Sequence, residues 1–129
     1  MEENIEIFLI NQNNKSNIYT GNTMKKFDAV WKDLHASLVI GKEIKNWTAY
    51  SGYLGDTMNI VDKTSESISV DATRAKNILV VPKEDFKVVW EVWNDYKIEK
   101  VKRNELSPLT RYSKYIISIF HWYETELKL

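Results

Sequence analysis

Residues 57–70, with the sequence TMNIVDKTSESISV, contain two β-prone segments separated by a polar stretch. In the second segment Ile68 and Val70 alternate with polar residues, which is the period of a strand that buries one face. Residues 62–66 are polar throughout, so we expect a loop of about four or five residues between the two strands. The stretch therefore predicts a β-hairpin.

Further elements are predicted on both sides of this hairpin from apolar runs and from spacings of three and four. The predicted strands cover about 4–10, 45–51, 57–62, 67–71 and 77–81, and the predicted helices about 23–39, 83–98, 102–107 and 110–127. Because the strands are grouped and helices follow them, the order favours the α+β class. We expect one domain over 1–129, with a small antiparallel or mixed sheet of 4–5 strands. An N-terminal helix and a C-terminal pair or trio of helices pack with this sheet.

The first predicted helix has apolar residues at helical spacing. Phe27, Val30, Trp31 and Leu34 follow at steps of three and four, which places their side chains on one face. Gly41 is a typical stop signal beyond the last apolar residue. This pattern predicts an amphipathic helix that buries its apolar face.

Composition excludes several classes of protein. The 129 residues include 18 Lys and Arg, 18 Asp and Glu, and no cysteine. Without cysteine there can be no disulfide scaffold, cysteine nucleophile or thiolate metal site. The two histidines, His35 and His121, have no partner at metal-ligand spacing, and no glycine-rich phosphate loop occurs. We therefore expect a non-enzymatic binding protein with no cofactor and no metal.

The start of the chain and its apolar runs bear on location. The first four residues are acidic or neutral, and only a short apolar stretch follows, unlike a secretory signal. No apolar run approaches the roughly 20 residues that span a bilayer. We expect a cytoplasmic protein without a membrane partner.

Charge is unevenly distributed although its sum is zero. Residues 84–96 carry four carboxylates and one lysine, a net charge of −3, whereas 97–114 carry six cations and two carboxylates, a net charge of +4. A local basic surface can attract a polyanion even in a neutral chain.

The helices at 83–98, 102–107 and 110–127 resemble a helix-turn-helix layout, with Glu105-Leu106 in the second helix. The resemblance is one of motif shape and implies that the last helix contacts nucleic acid. The residues that we expect to bind nucleic acid are basic or carry a hydroxyl: Lys100, Lys102, Arg103, Arg111, Ser113, Lys114 and Ser118. The alternative is an ordinary solvated face, because amphipathic helices always carry a polar stripe.

Two further hypotheses come from the aromatic residues. The last helix is apolar over a wide arc, which indicates either a central helix or one covered by a partner. In the second case the protein forms a homodimer, or binds another protein, through Tyr115, Ile119, Trp122 and Tyr123. A small-ligand pocket could instead involve Trp47, Tyr50 and His121, although turn and sheet packing is the alternative for the tryptophan and tyrosine.

The functional prediction is a small binding protein, with nucleic acid as the first partner. The alternatives are a protein-interaction module that dimerises through its last helix and a small-ligand-binding domain.

Overall fold

The computed structural model describes residues 24–72 and 75–127. The chain divides into two compact units, Met1–Val30 and Trp31–Leu129, and each is described by itself. In the first unit the Lys26 carbonyl accepts the N–H groups of Ala29 and Val30, which begins a helix. The predicted strand at 4–10 lies outside the described residues.

The described elements are five helices and four strands. The helices are α1 (Phe27–Ser37), α2 (Lys83–Trp90), α3 (Trp93–Lys97), α4 (Arg103–Leu106) and α5 (Ser113–Glu126). The strands are β1 (Glu43–Thr48), β2 (Gly52–Thr64), β3 (Ser67–Ala72) and β4 (Leu79–Pro82). A helix precedes the sheet and the other helices follow it, so the predicted α+β class is confirmed.

The four strands form one antiparallel sheet in the order β1-β2-β3-β4. The predicted hairpin is β2 and β3, in which Thr64 pairs with Ser67. Only Ser65 and Glu66 lie between the strands, so the predicted loop of four or five residues is too long. The Thr64 hydroxyl accepts the N–H of Glu66, and this side-chain bond stabilises the tighter turn.

Two predicted element boundaries are also wrong. The predicted helix 83–98 is two helices, because the chain leaves helical geometry at Val92 (φ −115°, ψ 8°). The predicted strand 57–62 extends over Gly52–Thr64, since it pairs with β1 on one side and β3 on the other. Pairing on both edges extends this strand beyond what the residues of the segment indicate by themselves.

The core of the second unit lies between the sheet and the C-terminal helices. Helix α5 packs against β1 and α2. Its residues 116–120 are buried without interruption, and Phe120 lies among the rings of Phe86, Trp90 and Trp93 at centroid distances of 5.1–5.8 Å. The wide apolar arc of the last helix is therefore explained by a central position in this unit.

None of the helices in the described ranges is both long and apolar enough to cross a membrane.

Candidate ligand-binding cleft

A cleft of about 570 Å³ lies between the β1–β2 turn and the connection from α3 to α4. We call it the hairpin cleft, and its lining residues come from two stretches of the chain. They are Thr48, Ala49, Tyr50, Ser51 and Leu54 from the turn, and Tyr96, Glu99, Val101, Lys102, Arg103 and Asn104 from the helical side. All of them belong to the second unit.

The turn that forms one wall is held by local hydrogen bonds. Thr48 pairs with Gly52, so 49–51 form the loop. The Thr48 Oγ1 atom accepts the Ser51 N–H at 3.0 Å, and Gly52 adopts φ +73°, a conformation that side chains disfavour. This geometry leaves Tyr50 87% exposed at the mouth of the cleft.

The buried residue of the cleft is Tyr96, which is only 2% exposed. Its phenolic oxygen accepts the Ala49 N–H at 3.1 Å and so joins α3 to the turn. Burial raises the pKa of Tyr96, so the hydroxyl stays protonated at neutral pH. Among the described residues, no hydrogen bond from this hydroxyl to an acceptor is found.

The helical wall is shaped by the end of α3. The Asp95 carbonyl accepts the N–H groups of Lys100 and Val101, at 2.8 and 3.1 Å. Glu99 takes the left-handed conformation, with φ +61°, which reverses the chain here. The Glu105 carboxylate then accepts the Lys102 N–H at 2.7 Å and begins α4. These bonds place Val101, Lys102 and Arg103 in the cleft wall.

The basic residues predicted to bind nucleic acid are dispersed. Lys100 and Lys102 are exposed, but only Lys102 lines the hairpin cleft. Arg103 lines the cleft as well and donates to the Ser113 Oγ atom at 3.1 Å. Arg111 lies over its neighbour Tyr112, with the guanidinium carbon 4.9 Å from the ring centroid. The structure thus brings Lys102 and Arg103 together at the cleft.

Lys114 is instead paired with Asp56 of β2, at an Nζ to Oδ2 distance of 3.2 Å. Burial by itself would raise the pKa of Asp56, but hydrogen bonds from Lys114 and Asn46 lower it overall. The ion pair therefore joins the beginning of α5 to the sheet.

The two serines predicted to bind nucleic acid, Ser113 and Ser118, lie inside the protein. Ser113 is 3% exposed and Ser118 is 1% exposed. The Ser118 hydroxyl accepts the Trp47 N–H at 2.9 Å, because this face of α5 packs against β1. The prediction that these two serines contact nucleic acid is wrong, because their hydroxyls are buried and not accessible to a phosphate.

The residues of the predicted protein interface are also divided. Tyr115 and Trp122 are half-buried, whereas Ile119 and Tyr123 are buried within the chain. Tyr123 is held there because its hydroxyl donates to Asp33 of α1 at 2.6 Å. The prediction that Ile119 and Tyr123 contribute to a protein interface is therefore wrong, because both side chains are already buried within the chain.

The three residues of the predicted ligand pocket fall in two places. Tyr50 lines the hairpin cleft, whereas the Trp47 and His121 rings stack nearly parallel, 4.0 Å apart and inclined by 7°. His121 also lies 3.3 Å from the Tyr53 hydroxyl, and it lines a smaller pocket of about 220 Å³. Burial lowers the pKa of His121, although Glu124 and Glu126 oppose this effect.

The role of Tyr96 in the cleft is not predicted from the sequence. Its spacing from Trp93 indicates a core position, and the residue is indeed buried. Its contact with Ala49 joins positions 47 residues apart, which local periodicity does not report. Exposed Leu54 and half-buried Val101 likewise line the cleft only because the two walls lie close together in the fold.

In the described part of the chain, no group of three or more His, Asp or Glu side chains is placed to hold a metal ion.

Comparison of this chain with protein-family models, with curated proteins and with solved structures finds no match.

Proposed function

We propose that this chain is a binding protein that holds a small organic ligand with an apolar or aromatic body in the hairpin cleft. The observation that carries the proposal is the convergence of two walls on one concave site, with the buried Tyr96 hydroxyl between them. Ligand sites combine a mostly apolar lining with a few placed polar groups, and volumes of roughly 300–1,000 Å³ are usual. The cleft of about 570 Å³ lies within this range.

The apolar part of the lining supports an apolar or aromatic ligand. Tyr50 and Leu54 remain exposed although both are large apolar side chains, and Val101 faces them from the other wall. A ligand that covers these side chains removes apolar surface from water, which is favourable by about 25 cal/mol per Å². The protein gains this free energy only when the cleft is occupied.

Binding can be tested with phenylnaphthylamine, an uncharged aromatic dye whose fluorescence rises in an apolar site. We expect saturable binding to the wild-type chain. Leu54→Asp should weaken it by about tenfold, because a carboxylate in the apolar wall must lose water when the dye binds. Ile78→Asp is the matched control, since Ile78 is 56% exposed, against 44% for Leu54, and lies outside the cleft. Absence of saturable binding, or equal losses in the two variants, would refute the proposal.

A second candidate is the binding of single-stranded nucleic acid at the same edge. The exposed ring of Tyr50 and the exposed Lys102 line one cleft, and Lys100 is nearby in the chain. Proteins that bind single strands combine stacking rings with cations. A labelled oligonucleotide should then bind more weakly as salt increases, and Lys102→Glu should weaken it further. No binding at low salt would exclude this candidate.

A further inference from the structure

The hairpin cleft contains hydrogen-bond donors that have not used all of their capacity within the chain. The Tyr96 hydroxyl accepts one bond and has its own proton to donate. The Arg103 guanidinium donates one bond to Ser113, and its other N–H groups find no acceptor in the described ranges. A ligand that supplies acceptor oxygens can take up these remaining donors, and hydrogen bonds to a charged acceptor are the stronger ones.

The charges that line the cleft also favour an anion. Lys102 and Arg103 contribute two positive charges, and Glu99 contributes one negative charge. The lining therefore carries a net charge of +1, which a single anionic group on the ligand would neutralise. The Asp95, Glu105 and Asp56 carboxylates do not line the cleft.

We infer that the hairpin cleft takes a small aromatic molecule with one anionic group, bound by the Tyr96 hydroxyl and by Lys102 and Arg103. The inference rests on the proposed function, because it assigns a chemical class to the ligand of the same cleft. The aromatic body contacts Tyr50, Leu54 and Val101, and the anion accepts hydrogen bonds from the tyrosine and the guanidinium. Hydrogen bonds to a charged acceptor are stronger than neutral ones, so the anion determines selectivity.

A matched pair of dyes separates the two contributions. Anilinonaphthalenesulfonate and phenylnaphthylamine share the same aromatic rings, and only the first carries a sulfonate. We expect the wild-type chain to bind the sulfonate dye about tenfold more tightly than the neutral dye. Tyr96→Phe should remove most of this preference. The variant also loses the Ala49 hydrogen bond that joins the walls, so the readout is the ratio of the two dyes' affinities, because a loosened cleft weakens both dyes alike.

The lysines provide a control for general attraction to a basic surface. Lys102 and Lys100 are both exposed and two positions apart, but only Lys102 lines the cleft. Lys102→Gln should weaken binding of the sulfonate dye by about two- to fivefold, and Lys100→Gln should leave it unchanged.

The outcomes distinguish the inference from the proposed function. If the neutral dye binds but the sulfonate dye binds no more tightly, the cleft is a ligand site and the inference is wrong. The same conclusion holds if the preference persists in both Tyr96→Phe and Lys102→Gln, or if Lys100→Gln reduces it equally. If neither dye binds, the proposed function fails, and the inference fails with it.

Discussion

The Trp47 backbone N–H donates to the Ser118 hydroxyl at 2.9 Å, and this bond joins β1 to the central helix α5. Ser118 is therefore part of the contact between helix and sheet. Asn46, which precedes Trp47 in β1, is buried as well. The register of β1 with β2 shifts between Lys45 and Trp47. A bulge leaves a backbone N–H outside the regular ladder, and here a side chain accepts it.

Replacement of Ser118 by alanine should lower the free energy of unfolding by about 1–3 kcal/mol, because the Trp47 N–H then has no acceptor. Thr125→Ala is the control, since the Thr125 hydroxyl is exposed and donates only to the His121 carbonyl of its own helix. Urea unfolding of both variants measures the difference. Equal stabilities would show that the Ser118 bond is unimportant.

Helix α5 is central in the second unit, and a substitution of Phe120 tests this central position. Its ring contacts the rings of Phe86, Trp90 and Trp93. Phe120→Ala should lower the free energy of unfolding by about 3–5 kcal/mol, as expected for a fully buried ring. Leu109→Ala, at an exposed position, should change it by less than about 0.5 kcal/mol. A loss below 1 kcal/mol for Phe120→Ala would contradict the central position.

Stability should decrease at acid pH because of His121. Burial lowers the pKa of this histidine below the usual value of about 6.5, so the folded state binds the proton more weakly than the unfolded state. The contribution of neutral His121 to the free energy of unfolding is complete above about pH 6.5. It is lost as the pH falls toward the pKa of His121 in the folded state. Thermal unfolding between pH 7.5 and 5 should show a smaller pH dependence in His121→Gln. The same dependence in both chains would contradict this assignment.

The Asp56–Lys114 ion pair should have a clear effect on the pKa of Asp56 and only a small effect on the free energy of unfolding. Both side chains are partly exposed, so Lys114→Gln should cost less than about 1 kcal/mol at neutral pH. The same variant should raise the pKa of Asp56, because a hydrogen bond from Lys114 lowers it in the wild-type chain. The stabilising contribution is present above about pH 4 and is lost as pH falls through the lowered pKa. A carboxyl titration by NMR that is identical in both chains would contradict the pairing.

The β2–β3 hairpin could be predicted from sequence because it is a local structure. Ile68 and Val70 are buried as predicted, and the antiparallel pairing follows from proximity in the chain. Ser69 between them is buried too, so the alternation does not hold at that position. The length of the turn could not be predicted, since Thr64 and Ser67 are polar and still belong to the strands. Polarity alone therefore does not mark the end of a strand.

The cleft could be predicted only in part. Tyr50, Lys102 and Arg103 are predicted from the sequence to bind a partner, but the tyrosine and the two cations belong to different predicted sites. The missing information was tertiary, because the Tyr96 bond to Ala49 is what brings the two walls together. For Ser118 the helical period does not tell whether its face of α5 meets solvent or a strand, and here it meets β1.

Amide chemical-shift mapping can show, residue by residue, whether a ligand binds in the hairpin cleft. On addition of phenylnaphthylamine, we expect the largest shifts at the amides of Ala49, Ser51, Val101 and Asn104, which lie on both walls. Residues of the smaller pocket beside His121, such as Lys42 and Thr125, should change little. Shifts concentrated in that pocket, or no saturable shifts at all, would contradict the claim.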